Sequence, residues 1–169
     1  NIAIGMNFAM RLQGTNTTHT ITSNNFSGSV YGIYMNGASN NGHIVNNNNL
    51  SNCTNTSLTY SVGTPASISS NTFTGCNNAI YLKGAPNFTL SAPGSGGSNE
   101  NVFGTDITGN QIKLDSCNNA NVSGFNFSSC AAAPLNSRSP FDITSSSNGT
   151  FTNNIATGMS RAMQINGTN

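Results

Sequence analysis

Acid–base catalysis needs titratable side chains brought within hydrogen-bond reach of one another, and this sequence has few to bring. Its carboxylates are Glu100, Asp106, Asp115 and Asp142, and its histidines are His19 and His43. The four cysteines, Cys53, Cys76, Cys117 and Cys130, lack the Cys-x-x-Cys and Cys/His spacings of a zinc site. No catalytic residue, metal ligand set or cofactor is therefore expected. Five Lys and Arg residues are scattered singly, and the formal net charge is +1. A phosphate backbone would find no basic stripe there, so nucleic acid is excluded as a partner. No apolar run approaches the roughly 20 residues of a membrane span. The remaining chemistry is recognition by neutral polar and aromatic groups, and its meaning depends on how they are arrayed.

The array is a repeat. Segments Ala9–Gly14, Gly32–Gly37, Ser57–Val62, Ala79–Gly84, Gln111–Ser116, Pro140–Ser145 and Ala162–Gly167 align without gaps. Each alternates apolar and polar residues, the period-2 pattern of a strand with one buried face. Their first apolar residues, Met10, Ile33, Leu58, Ile80, Ile112, Phe141 and Met163, are spaced by 23, 25, 22, 32, 29 and 22 residues. A second pattern lies between them. In 20–26, 44–50, 67–73 and 121–127, an apolar residue precedes a larger one by five positions with Asn between, and 150–155 is a shortened copy.

Asn-Gly dipeptides at 36–37, 41–42, 148–149 and 166–167 would suit an antiparallel meander of hairpins. A meander, however, has no reason to return the same strand type in the same phase. A solenoid must do so to stack like on like. The prediction is an all-β, right-handed parallel β-helix of about seven coils of 22–25 residues, with insertions around Pro93–Asp106 and Ala131–Ser139. Residues 1–169 form one domain. Apolar residues make up 35% of the chain, which argues for a folded protein despite the abundance of Asn, Ser, Thr and Gly.

The pattern Ile-x-x-Asn-x-Phe followed by Gly-Ile-x-Met (32–35) or Ala-Ile-x-Leu (79–82) resembles the repeats of right-handed parallel β-helices in the pectin lyase-like superfamily. The resemblance covers nearly the whole chain. It implies the architecture well and the activity poorly, because that superfamily holds lyases, epimerases, tailspikes and surface proteins. Its calcium-dependent lyases cluster several carboxylates beside an Arg or Lys base, and no such motif carries over. The Asn- and Thr-rich, charge-poor style also resembles large secreted bacterial surface proteins.

Stacked coils turn repeat positions into columns. Ile21, Val45, Ile68, Val122 and Phe151 are expected to fill one inner column. Phe26, Leu50, Phe73, Phe127 and Ile155 should fill a second, and Leu12, Met35, Tyr60, Leu82, Leu114, Ile143 and Ile165 a third. Asn24, Asn47 and Asn71 are expected to form an asparagine ladder at a bend. Cys53, Cys76 and Cys130 share a column with Ser29, and buried free thiols are expected there in preference to a Cys53–Cys76 disulfide.

Facing outward on the recurring strand, Arg11, Tyr34, Thr59, Tyr81, Lys113, Asp142 and Gln164 form one column. Gln13, Asn36, Ser61, Lys83, Asp115, Thr144 and Asn166 form the next. Lys83–Asp115 and Lys113–Asp142 are then cross-strand ion pairs. Tyr34, Thr59, Tyr81, Lys83, Lys113, Asp115 and Asp142 are the candidate glycan-binding residues: Tyr rings stack on sugar faces and the polar groups bond to hydroxyls. The two insertions are expected to wall a groove beside this sheet. The expected role is a secreted or cell-surface adhesive solenoid that contacts polysaccharide. The alternatives are a lyase-like or epimerase-like enzyme, and an ice-binding array through Thr20, Thr22, Ser67, Ser69, Ser123, Thr150 and Thr152. The repeat runs to both termini without a cap, so further coils or neighbouring subunits are expected at the ends, in a longer chain.

Overall fold

The computed structural model of the chain describes residues 1–91, 101–104, 107, 109–125, 139, 141–156 and 161–167. Its main feature is a seven-stranded sheet built from Phe8–Thr17, Tyr31–Asn41, Thr56–Ser61, Asn78–Lys83, Ile112–Asp115, Phe141–Thr144 and Met163–Asn166. Sheet order follows chain order and every pairing is parallel. Parallel neighbours cannot be joined by a hairpin, so the chain must circle back between strands. Each circuit is one coil of a β-helix.

The register is the one expected from the repeat. Leu12, Met35, Tyr60, Leu82, Leu114, Ile143 and Ile165 are successive Cα partners, as are Met10, Ile33, Leu58, Ile80, Ile112, Phe141 and Met163. Most of these side chains are buried in one continuous core. Ile165 keeps its register but is 60% exposed, because among the described residues no coil covers it. Gly32 belongs to this sheet for a steric reason. A Cβ there would lie 2.5 Å from the Ser57 carbonyl oxygen and 2.7 Å from Leu50 Cδ2.

The rest of each coil departs from expectation in three places. The column through Ile21, Val45 and Ile68 does not run on to Val122. Thr20–Thr22, Ile44–Asn46 and Ser67–Ser69 form one short sheet, while Thr89–Ser91, Asn121–Ser123 and Thr150–Thr152 form another, centred on Leu90, Val122 and Phe151. Leu90 has no Asn-rich bend after it, and so it escaped the pattern. The hydroxyl array is therefore split between two sheets, and Ser67 and Ser69 both donate to Asn46 Oδ1.

The second column also changes. Phe103 stacks on Phe73 at 5.3 Å, placed by pairing of Val102–Phe103 with Thr72–Phe73, and Phe125 meets Phe103 edge-on at 5.8 Å. Part of the first insertion is thus strand, not loop. Ile155 is 51% exposed and so is not a core residue. Phe127, Cys130, Glu100, Asp106 and most of the rest of both insertions lie outside the described residues.

The third departure is the ladder, which runs Asn24, Asn48, Asn71, Asn101. Each side-chain amide donates to the next Asn Oδ1 at 2.9–3.1 Å, and the Asn48, Asn71 and Asn101 amides also donate to the backbone carbonyls of Ile21, Val45 and Ile68. Asn47 is not a rung. It holds the preceding position in left-handed backbone, φ 56°, as Ser23 and Ser70 do in neighbouring coils. Four consecutive asparagines, 46–49, hid which one turns inward. Cys53 and Cys76 are buried and not joined in a disulfide.

Replacing Asn71 by Ala leaves buried donors and acceptors unpaired, which costs about 1–3 kcal/mol per group. Urea unfolding should therefore show a loss of about 2–4 kcal/mol for Asn71→Ala or Asn48→Ala. Asn47→Gly should stay within about 0.5 kcal/mol of the parent, since glycine adopts the same φ freely. Equal losses at positions 47 and 48 would contradict the ladder.

Candidate functional site

The outward face of the long sheet collects the aromatic and charged side chains. Pairing sets Arg11, Tyr34, Thr59, Tyr81, Lys113, Asp142 and Gln164 side by side, with Gln13, Asn36, Ser61, Lys83, Asp115, Thr144 and Asn166 as the adjoining row. Of the candidate residues, Tyr34, Thr59, Tyr81 and Lys83 line one open groove of about 440 Å³, shared with Asn36, Asn55, Thr56 and Val62. Lys113, Asp115 and Asp142 lie outside the groove, beyond Tyr81.

Those three residues brace the groove wall. The Tyr81 hydroxyl donates to Asp115 Oδ2 at 3.2 Å, and Lys113 Nζ sits 5.5 Å from the Tyr81 ring centre. Lys83 approaches Asp115 and Lys113 approaches Asp142, each at 3.9 Å. With Lys83 more than half exposed, each pair contributes roughly 0.2–1 kcal/mol. Burial, and then the Asp115 charge, push the Tyr81 phenol up to about 12. Tyr81 therefore stays a neutral hydrogen-bonding ring across the physiological range.

The opposite wall contains aromatics that the repeat did not single out. Phe8 stacks on Tyr31 at 5.0 Å, Tyr34 meets Tyr31 edge-on at 5.0 Å, and the Arg11 guanidinium lies 4.8 Å from the Phe8 ring centre. Asn55 donates to the Tyr31 hydroxyl at 2.9 Å, and Asn36 donates to that of Tyr34 at 3.4 Å. Phe8 and Tyr31 occupy the same repeat offset in consecutive coils. That coincidence was the available signal, masked because strict alternation turns the offset inward.

An all-β solenoid with one long in-register parallel sheet and a bend ladder matches what a family comparison finds. The model described as periplasmic copper-binding protein (NosD) covers residues 1–93, just over half of the 169-residue chain. The chain belongs to the NosD family. This is a right-handed parallel β-helix family of the pectin lyase-like type, as the repeat implied, and its periplasmic description agrees with the expected location outside the cytoplasm. No curated protein and no solved structure matches the chain.

The NosD description invites a test of the described residues as copper ligands. No three His, Cys, Asp or Glu side chains converge among them. Burial pushes the Cys53 and Cys117 thiols up, and a neutral thiol is not the ligand form. His19 and His43 do meet, with rings stacked at 5.2 Å. His43 Nδ1, however, already accepts the His19 backbone N–H at 3.0 Å, while its Nε2 is buried with the Tyr60 ring edge-on to the imidazole. The described residues do not fit a copper site.

Burial and then the His19 charge hold His43 below its ordinary 6.5. A lowered folded value means the neutral imidazole is the stable partner of the fold. Its stabilisation is complete above pH 6.5 and is lost as pH falls through the folded value. Urea midpoints should accordingly be level from pH 7 to 8 and decline below about 6.5. His43→Gln should be weaker at pH 7 and should lose that decline.

Proposed function

We propose that this NosD-family chain is a non-catalytic β-solenoid acting outside the cytoplasm, whose long sheet binds polysaccharide or cell-surface glycan. The observation that carries the reading is the groove between Tyr34 and Tyr81. It combines aromatic faces with Asn amides and Thr and Ser hydroxyls, the mixture that matches a sugar's apolar ring face and hydroxylated edge. The charges around it, Lys83 with Asp115 and Lys113 with Asp142, are balanced and engaged with one another. That arrangement suits recognition better than proton transfer, where a lyase would need a free base facing substrate.

The family description makes copper handling the outcome to be tested against it, although the described residues do not fit a copper site. A single experiment separates the two. The chain is screened against immobilised polysaccharides, affinities of the retained ones are measured by calorimetry, and copper is titrated in parallel. Tyr81→Ala should weaken glycan binding about tenfold, while Thr20→Ala/Thr22→Ala, on another sheet, should leave it unchanged. Stoichiometric copper uptake abolished by His43→Ala, with no polysaccharide retained, would replace the glycan reading by the metal one.

A further inference from the structure

An Asn-Gly pair can modify itself with no partner but water, because the glycine nitrogen can attack the carbonyl carbon of the asparagine side chain. Glycine is the successor that hinders this approach least, having no Cβ and a freely turning backbone. The chain contains four such pairs, Asn36–Gly37, Asn41–Gly42, Asn148–Gly149 and Asn166–Gly167. None of them closes a hairpin, since the strands beside them pair in parallel.

Three of the four pairs are held against the reaction. Gly42 donates its N–H to the Thr64 carbonyl at 2.9 Å, and both ends of the Asn41 amide are engaged: Nδ2 donates to Ser39 Oγ at 2.8 Å and Oδ1 accepts the Thr64 N–H at 3.1 Å. Asn36 and Gly37 lie inside Tyr31–Asn41, with a paired strand on either side, and a Cβ on Gly37 would collide with the Gly14 carbonyl oxygen. The Asn166 carbonyl accepts the Ser145 N–H at 2.9 Å, and its Oδ1 accepts Gln164 Nε2 at 3.3 Å. Asn148 and Gly149 are both exposed, and among the described residues neither the Asn148 amide nor the Gly149 N–H has a hydrogen-bond partner. The backbone on each side is anchored, because the Ser147 carbonyl accepts the Asn119 N–H at 2.9 Å and Thr150 donates to the Ala120 carbonyl at 2.7 Å. Freedom is confined to the pair itself.

Neighbouring coils show what sets this pair apart. Asn87, Asn119 and Asn148 each stand two residues before paired strand positions and share the same backbone, φ 55°, 57° and 54°. Turn geometry is therefore common to all three. The first two are followed by Phe88 and Ala120, both buried, and are tied together by an Asn119 Nδ2 to Asn87 Oδ1 hydrogen bond at 2.8 Å. Only Asn148 combines a free amide with an exposed glycine after it.

We infer that Asn148 is a self-modifying site, the position at which the folded chain deamidates spontaneously with water as the sole co-reactant. The inference is independent of what the long sheet binds. The Gly149 nitrogen bonds to Asn148 Cγ and gives its proton to solvent; the Cγ–Nδ2 bond breaks, ammonia leaves, and a five-membered succinimide closes. Water then opens the ring. Addition at Cγ leaves an ordinary aspartate at position 148, and addition at the main-chain carbonyl carbon routes the backbone through Cγ and leaves isoaspartate. Neither route needs an oxidant or a reductant. Both exchange a neutral amide for a carboxylate, one negative charge set against the chain's formal +1. Isoaspartate also lengthens the backbone by one atom just before Thr150–Thr152, an edge strand of its sheet.

The test follows all four pairs in one sample. The chain is aged at mildly alkaline pH, once folded and once in guanidinium chloride, and peptide mapping by mass spectrometry times the conversion of each asparagine while enzymatic methylation counts isoaspartate. In the folded chain Asn148 should convert about tenfold or more faster than Asn36, Asn41 or Asn166, which must first break hydrogen bonds by local opening. In guanidinium chloride the four rates should converge. Asn148→Gly, which accepts the left-handed φ, should remove most of the isoaspartate formed by the folded chain. Gly149→Ala should slow conversion while leaving Asn148 in place. Another pair converting as fast as Asn148 in the folded chain would overturn the assignment. So would Asn148 staying intact there while the unfolded chain reacts, or the same ranking in guanidinium chloride, which would give the selectivity to sequence and not to the fold.

Discussion

Vertical register between coils is the constraint on which the rest of this molecule depends. Each inner strand of the long sheet has its backbone groups paired with the strand above and below, so a slip of one residue in any coil would turn its core residues outward. Bends strain that arrangement, because there the backbone leaves the sheet while remaining inside the protein. The Asn24–Asn48–Asn71–Asn101 ladder solves this locally. Each rung hydrogen-bonds the next rung, and three of them also cap the carbonyl of an inner strand residue. Where the ladder is interrupted at Phe125, its backbone N–H still finds Asn154 Oδ1 at 3.0 Å.

Register also determines what the outer face can display. A solenoid repeats a position in every coil, so one row of side chains becomes a continuous stripe with almost no energetic consequence for the core. The aromatic cluster at one end of the groove and the Lys–Asp pairs at the other are products of that stacking. None of the residues involved is adjacent to its partner in sequence; Tyr81 and Asp115 are 34 positions apart. Val62, at the groove edge, holds a β-branched side chain in left-handed backbone, φ 55°.

NosD-family membership joins this chain to proteins described by copper, yet its described residues distribute their thiols and imidazoles in ways that suit packing. Cys53 and Cys117 are buried with raised thiol values, and His43 is held neutral between His19 and Tyr60. A β-helix is a scaffold whose faces are decorated independently of its core, so shared architecture leaves the ligand to be argued from the surface.

The fold and the long sheet were legible in the sequence because periodicity is a physical requirement of stacking. Seven apolar–polar–apolar segments in phase determine a parallel sheet, its two inner columns and the identity of every neighbour on its outer face. The Lys83–Asp115 and Lys113–Asp142 pairs follow from that register. What the sequence alone left open was decided where the period breaks or where identical residues stand in a row. Among Asn46–Asn49, only the three-dimensional bend separates the left-handed Asn47 from the inward Asn48. Leu90 and Phe103 entered the core from a coil whose spacing is 32 residues, so no repeat announced them. The groove itself was invisible, because its lining, Tyr34, Asn55 and Tyr81 among it, comes from three coils that only stacking brings together.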